Sequence, residues 1–179
     1  MNNGNTIELV KSDGARIFLS SIPGVSINFH GKNNHIIIHE GTKFKNCAMI
    51  FISNMHIEIK NSTYELVNLK IFGNHSEVLI GKNFSCWGVE IRCHEVNTSV
   101  KIGDDCMFSE DILIYPTDVH SIYEQETGKL LNLGGHVTIG NHVWCERDVK
   151  FKKNTQTGND VVIAMGSLIS KPVILPKNN

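Results

Sequence analysis

The stretch IGNHVW-CERDVK-FKKNTQ-TGNDVV-IAMGSL, residues 139–168, divides into sixes without remainder, and Ile169 opens another block. The first position of each six holds Ile139, Cys145, Phe151, Thr157, Ile163 and Ile169, mostly bulky and apolar. The fifth holds Val143, Val149, Thr155, Val161 and Ser167, all small or β-branched. Neither a helical period of 3.6 nor a simple two-residue alternation generates that register. A hexapeptide period belongs to β-helices, in which each six supplies a short strand and a corner, and three sixes close one triangular turn. The large residue is expected to fill the prism and the small one to fit where the wall bends.

Outward from this stretch, the same phrase recurs more loosely. Apolar residues two apart follow polar corners at Ile36/Ile38, Ile57/Ile59, Val78/Ile80, Val100/Ile102 and Val137/Ile139. Successive second members are 21, 21, 22 and 37 residues apart. The first three intervals are one eighteen-residue coil plus a few corner residues. The last is a coil plus about nineteen surplus residues, which lie between Tyr115 and His136 in a polar stretch with Pro116, Gly128, Gly134 and Gly135. A long loop thrown out of an economical scaffold is a functional candidate. The expected organisation is one all-β domain: an N-terminal cap over 1–30, with Thr6–Val10 and Arg16–Leu19 as short strands, loose coils over 31–114, a protruding loop over 115–136 and regular coils over 137–179.

Composition narrows the function classes. A chain of 179 residues with formal charge −1 and pI near 6.7 carries no overall electrostatic footprint for nucleic acid or an anionic membrane. Fifteen Gly and many Asn suit frequent corners, since both tolerate left-handed backbone. The five cysteines form no CxxC pair, and Cys86, Cys106 and Cys145 fall on apolar repeat positions, so they read as small core residues. MNNGNTIELVKSDG lacks the basic and apolar regions of a signal peptide, and no apolar run approaches membrane-spanning length. A soluble, cytoplasmic protein is expected. His30, His35, His39, His56, His75 and His94 show no ligand spacing, and His136 and His142 belong to strand-and-corner phrases, so no metal site is expected.

The phrases IGDDCMFS (102–109), TDVHSIYEQETGKLLN (117–132), VTIGNHVW (137–144) and VIAMGSLISK (162–171), in this order, resemble the hexapeptide-repeat acyltransferases. Within them the chain looks like the O-acetyltransferases of bacterial surface polysaccharides, cousins of galactoside and maltose acetyltransferases. The resemblance implies a left-handed parallel β-helix with one long active-site loop, a homotrimer with active sites between subunits, acetyl-CoA as acyl donor and a saccharide acceptor. It implies that His120 is the general base, a role suited to an imidazole near neutral pH. Asp118 is the candidate to orient it. Glu95 and Ser121 are candidate acceptor contacts. Trp144, the small-residue turn Ala164-Met165-Gly166, and the basic residues Lys153 and Lys171 match positions that hold CoA.

The chain departs from the family pattern at Trp144-Cys145-Glu146, where Glu replaces a corner Gly, at Lys153-Asn154, at Thr157 and at Ala164. It ends at KPVILPKNN, where relatives continue with a further GNP-like phrase, so a shorter cap or reduced nucleotide affinity is expected. Two other readings use the same scaffold: N-acetylation of a nucleotide-linked amino sugar, or O-acetylation of serine. A third, from another class, is a non-catalytic β-helix serving as an assembly module.

Overall fold

A computed structural model describes residues 3–170, and within them the chain is strands, corners and turns with no helix. The chain winds around a triangular prism, laying one short strand on each face in turn. One coil runs His35–His39 on the first face, Lys43–Lys45 on the second and Cys47–Phe51 on the third. Stacking the coils builds parallel sheets of eight, six and seven strands, the first closed at one end by an antiparallel partner.

The register follows the sequence intervals. Ile36 stacks on Ile57, Ile57 on Val78 and Val78 on Val100. Val100 then stacks on Val137 across the long insertion, and Val137 on Thr155 one regular coil later. The first hexad positions Ile139, Cys145, Phe151, Thr157 and Ile163 are all at most 5% exposed, as are Val143, Val149, Thr155 and Val161. Phe84 meets Phe108 edge-on at 5.1 Å and Phe108 stacks on Phe151 at 6.4 Å, forming an aromatic column through the core.

Coil pairing starts earlier than the sequence intervals indicate. Thr6–Val10 pairs in parallel with His35–His39 and antiparallel with Arg16–Phe18, while Val25–Phe29 pairs in parallel with Cys47–Phe51. The strands expected at Thr6–Val10 and Arg16–Leu19 are present, but the hairpin between them lengthens the first turn to 29 residues, Thr6 to His35, and hides it from a search at about eighteen.

Every coil must turn sharply, and the corners show how. Among the described residues, fourteen that are not glycine have φ between 49° and 68°, and thirteen of them are Asn, Asp or His. These short polar side chains tolerate left-handed backbone that others resist. Some bond directly between coils, as in Asn33 to Asn54, Asn54 to His75 and Asn83 to Asp105. The Ile-Gly of the repeat has a different cause. A Cβ on Gly140 would lie 2.3 Å from the Gly158 carbonyl oxygen of the next coil, so the glycine permits close approach.

All five cysteines are buried and free, and burial pushes the Cys86 and Cys93 thiols up to about 12 and Cys106 up to about 11. They pack as small apolar groups. Truncation of the central ring, Phe108→Ala, is expected to cost about 3–5 kcal/mol, measured as a lowered urea midpoint. An unchanged midpoint would show that the column contributes nothing to stability.

Candidate active site

The insertion leaves the third face at Tyr115 and rejoins the first at His136, so it projects from the edge between those faces. It is an ordered hairpin. The Gly135 amide donates to the Pro116 carbonyl at 2.8 Å and closes its neck. Tyr123 and Leu130 bridge antiparallel, and the tip turns through Gly128 at φ 67°.

His120 stands exposed where the hairpin begins, and its backbone is fixed from several sides. Its amide donates to the Asp118 carbonyl at 2.8 Å, and its carbonyl accepts from the Asn132 side-chain amide at 2.7 Å. Asn132 also accepts from the Ile122 amide at 2.7 Å. The preceding Val119 has φ 68°, the one β-branched residue among the left-handed positions. A β-branched residue there is a true outlier, strained by roughly 1–3 kcal/mol. Its amide is held at 2.9 Å by the Thr117 hydroxyl, which in turn donates to the Glu95 carboxylate.

The Asp118 side chain is engaged by cations and an amide. Its carboxylate takes Lys153 at 2.5 Å, Lys152 at 3.5 Å and the Asn132 amide at 3.4 Å. The hydrogen bond from Lys153 holds its carboxyl below the usual carboxylate range. The Lys153 ammonium also donates to the carbonyls of Asn132 at 3.1 Å and Leu133 at 3.0 Å, so all three of its protons have acceptors. Lys153 therefore clamps the loop's two ends together. Glu95 lies against the same base, accepting from Thr117 and packing where a Cβ on Gly134 would come within 2.9 Å of its carboxylate. Ser121 is exposed at the start of the hairpin.

The remaining candidates lie elsewhere. Trp144 is on the second face, 44% exposed, in an outward row with Met107 and Val162. With Tyr64 and Trp87 it lines a groove of about 1000 Å³. Ala164, Met165 and Gly166 form an exposed turn at the edge between the second and third faces, Gly166 having φ 73°. Glu146, the residue at the expected glycine corner, accepts from the Met165 amide at 2.9 Å and braces that turn. Lys171 lies outside the described residues. The fold thus brings together His120, Asp118, Lys153, Glu95 and Ser121. It puts Trp144 on the second face, opposite the loop's edge, and the small-residue turn at the edge between the second and third faces. Asn132, Lys152, Thr117 and Val119 were not singled out from sequence. Thr117, Val119 and Asn132 fall within the loop phrase, whereas Lys152 has no local signal.

The clamp predicts a pH and mutational signature. In Lys153→Met, amide exchange over residues 118–132 is expected to rise roughly twofold to fivefold, the scale of one partly exposed ion pair. Because the folded carboxyl of Asp118 titrates below its ordinary value near 3.9, protection should hold from neutral through mildly acidic pH. It should fall away as pH drops through that lowered value. Unchanged exchange in the variant would show that the loop is held by other contacts.

Comparison with known proteins agrees with this architecture. No protein-family model matches the sequence. A polysialic acid O-acetyltransferase of Neisseria meningitidis is 46% identical over 54 residues, covering 30% of this chain and 25% of that protein. One from Escherichia coli O1:K1 / APEC is 31% identical over 99 residues, covering 55% and 32%. The chain therefore spans a third or less of the length of these curated relatives. The crystal structure of the polySia-specific acetyltransferase NeuO superposes with a TM-score of 0.79 at 25% identity, covering 96% of this chain and 76% of that one. The polysialic acid O-acetyltransferase OatWY superposes at 0.68 and 23% identity, covering 94% and 77%. In sequence the chain resembles polysialic acid O-acetyltransferases over part of its length, and its fold matches those of two such enzymes.

Proposed function

We propose that the protein transfers an acetyl group from acetyl-CoA to a hydroxyl of a surface polysaccharide, with His120 as general base. The observation that carries this reading is His120 itself. It is exposed yet fixed through its backbone, beside a strained Val119, on the long loop of a β-helix whose relatives are named O-acetyltransferases. In this reading His120 removes the acceptor hydroxyl proton as the oxygen adds to the thioester carbonyl. The imidazolium then gives the proton to the departing thiolate. Backbone amides are the candidate stabilisers of the intervening oxyanion.

The apolar groove beside Trp144 suits the uncharged arm of the donor, and the exposed Ala164–Gly166 turn leaves its backbone approachable. Lys153 suits the donor's phosphates poorly, since its protons are already engaged. His120 and the Trp144 groove lie on opposite sides of one prism. A working site would therefore pair the loop of one copy with the groove of another, consistent with a homotrimer whose sites lie between subunits.

Thiol release from acetyl-CoA, measured with saccharide acceptors, is expected to fall roughly 10²- to 10⁴-fold in His120→Ala. Equal rates in both proteins would remove His120 from the mechanism. No release with any acceptor, together with no CoA binding, would favour the assembly-module reading.

A further inference from the structure

The base of the His120 loop rests on a chain of hydrogen bonds that starts one coil earlier. Glu95 lies in the corner between Val89–Cys93 on the third face and Ser99–Ile102 on the first, and the loop leaves the next coil between the same two faces. Two hydroxyls pin the Glu95 backbone. Its carbonyl lies 3.0 Å from Ser76 Oγ and 2.9 Å from Thr98 Oγ1, and those oxygens are 2.8 Å from each other. Both residues are at most 7% exposed.

From this anchor the Glu95 side chain reaches between the two ends of the loop. At the entry its carboxylate accepts from the Thr117 hydroxyl. At the exit a Cβ on Gly134 would come within 2.9 Å of the same carboxylate and 2.6 Å of Thr98 Cγ2, so that residue is a glycine where Glu95 and Thr98 fill the space.

Thr117 has no exposed surface, and Glu95 decides how its hydroxyl is used. A hydroxyl has one proton and two lone pairs, and it rotates to suit its neighbours. A carboxylate offers acceptors only, so the proton goes to Glu95 and a lone pair is left for the Val119 amide at 2.9 Å. That amide belongs to the residue at φ 68°, a region a β-branched side chain resists. Without that hold, Val119 would gain by relaxing to negative φ, and the neighbouring His120 would turn with it. Asn132 holds the loop downstream, at the His120 carbonyl. The Glu95–Thr117 pair acts upstream, on the amide that sets the turn.

We infer that Glu95 is a positioning residue for acetyl transfer, holding Val119 in its left-handed turn through Thr117 and so setting where the His120 imidazole stands. The inference rests on the reading of His120 as general base and adds to it the group that aims that base. A base must lie within hydrogen-bond reach of the proton it takes, and a misplacement of ~1 Å costs about 10²-fold in rate. A direct contact to the acceptor is the competing role for Glu95. Its carboxylate is instead engaged by a fully buried hydroxyl.

The test compares Glu95→Leu, Thr117→Val, the double variant and Thr117→Ser in the full chain, by steady-state acetyl transfer and by exchange of the Val119 amide. In each single variant kcat is expected to fall about 10- to 100-fold, with the KM of donor and acceptor unchanged, as for a group that acts only in the transition state. The double variant should be no slower than the slower single one, because both substitutions break one chain. Thr117→Ser keeps the hydroxyl and should restore what Thr117→Val loses. Exchange at Val119 should rise about two- to tenfold in Glu95→Leu and Thr117→Val. Thr117→Val preserves the shape of the side chain, so it carries the test by itself if Glu95→Leu does not fold. A raised acceptor KM with parental kcat in Glu95→Leu would overturn the inference in favour of an acceptor contact. Losses that add in the double variant would overturn it too. If the parent transfers no acetyl group, faster Val119 exchange in both variants keeps the hold on the turn and ends the acetyltransferase reading. Transfer that is lost in His120→Ala but unaltered by Glu95→Leu and Thr117→Val keeps that reading and ends the inference.

Discussion

The corner is the constraint on which the structure depends. A coil of about eighteen to twenty-three residues closes only if its backbone reverses three times, and many of these reversals place a residue in the left-handed region. For an ordinary L-residue that costs roughly 1–2 kcal/mol, a sum no small solenoid could carry at every turn. Asn and Asp lower the cost through local hydrogen bonding, and here several of them also bond to the equivalent corner above or below. The corner ladders thereby hold the coils in register. Register in turn stacks Ile on Val and Phe on Phe inside the prism, where the hydrophobic gain resides.

Once the inside is fixed in this way, the outside is free to differ from face to face. The first face carries Glu8, Glu58 and Glu77 with His35, His39 and His56, and two of these acids bond histidines at 2.8 Å. The second exposes Trp144, Met107 and Val162, with Tyr64 and Trp87 nearby. The third alternates rings with cations. An exposed apolar strip on one side marks a contact surface. The insertion emerges at the edge between the first and third faces, opposite that strip. One scaffold thus separates three surface chemistries without altering its core.

This division also explains what could be read from the sequence. Inward positions repeat in type, so Ile139, Cys145, Phe151 and Ile163 announced the coil, and the nineteen surplus residues announced the loop. The first coil is hidden in the sequence because the hairpin of residues 11–15 interrupts its period, although VSINF alternates as a strand should. Outward chemistry does not repeat. Arg92 meets Phe72 and Tyr115 only after coils of unequal length are aligned, and no local pattern predicts that alignment. The sequence places Lys153 at a position that the family resemblance gives to CoA, and shows nothing of its partners, which lie twenty or more residues away across the neck of the loop.

Magnitudes decide what Lys153 does. An exposed ammonium meeting a phosphate in water gains about 1 kcal/mol or less. Withdrawing Lys153 from the loop would remove its contacts to two carbonyls and to Asp118, whose lowered titration shows that the ionised form is favoured in place. A made hydrogen bond is worth about 0.5–1.5 kcal/mol net, and the Leu133 carbonyl is exposed to water, so it is the three contacts together that favour holding the loop. The strained Val119 points the same way. Left-handed backbone at a β-branched residue persists only where its surroundings over-determine it, and Thr117, Asn132 and the Lys153 clamp are those surroundings. Asp118 and Lys153 are therefore spent on position, while the imidazole of His120 stays exposed beside them.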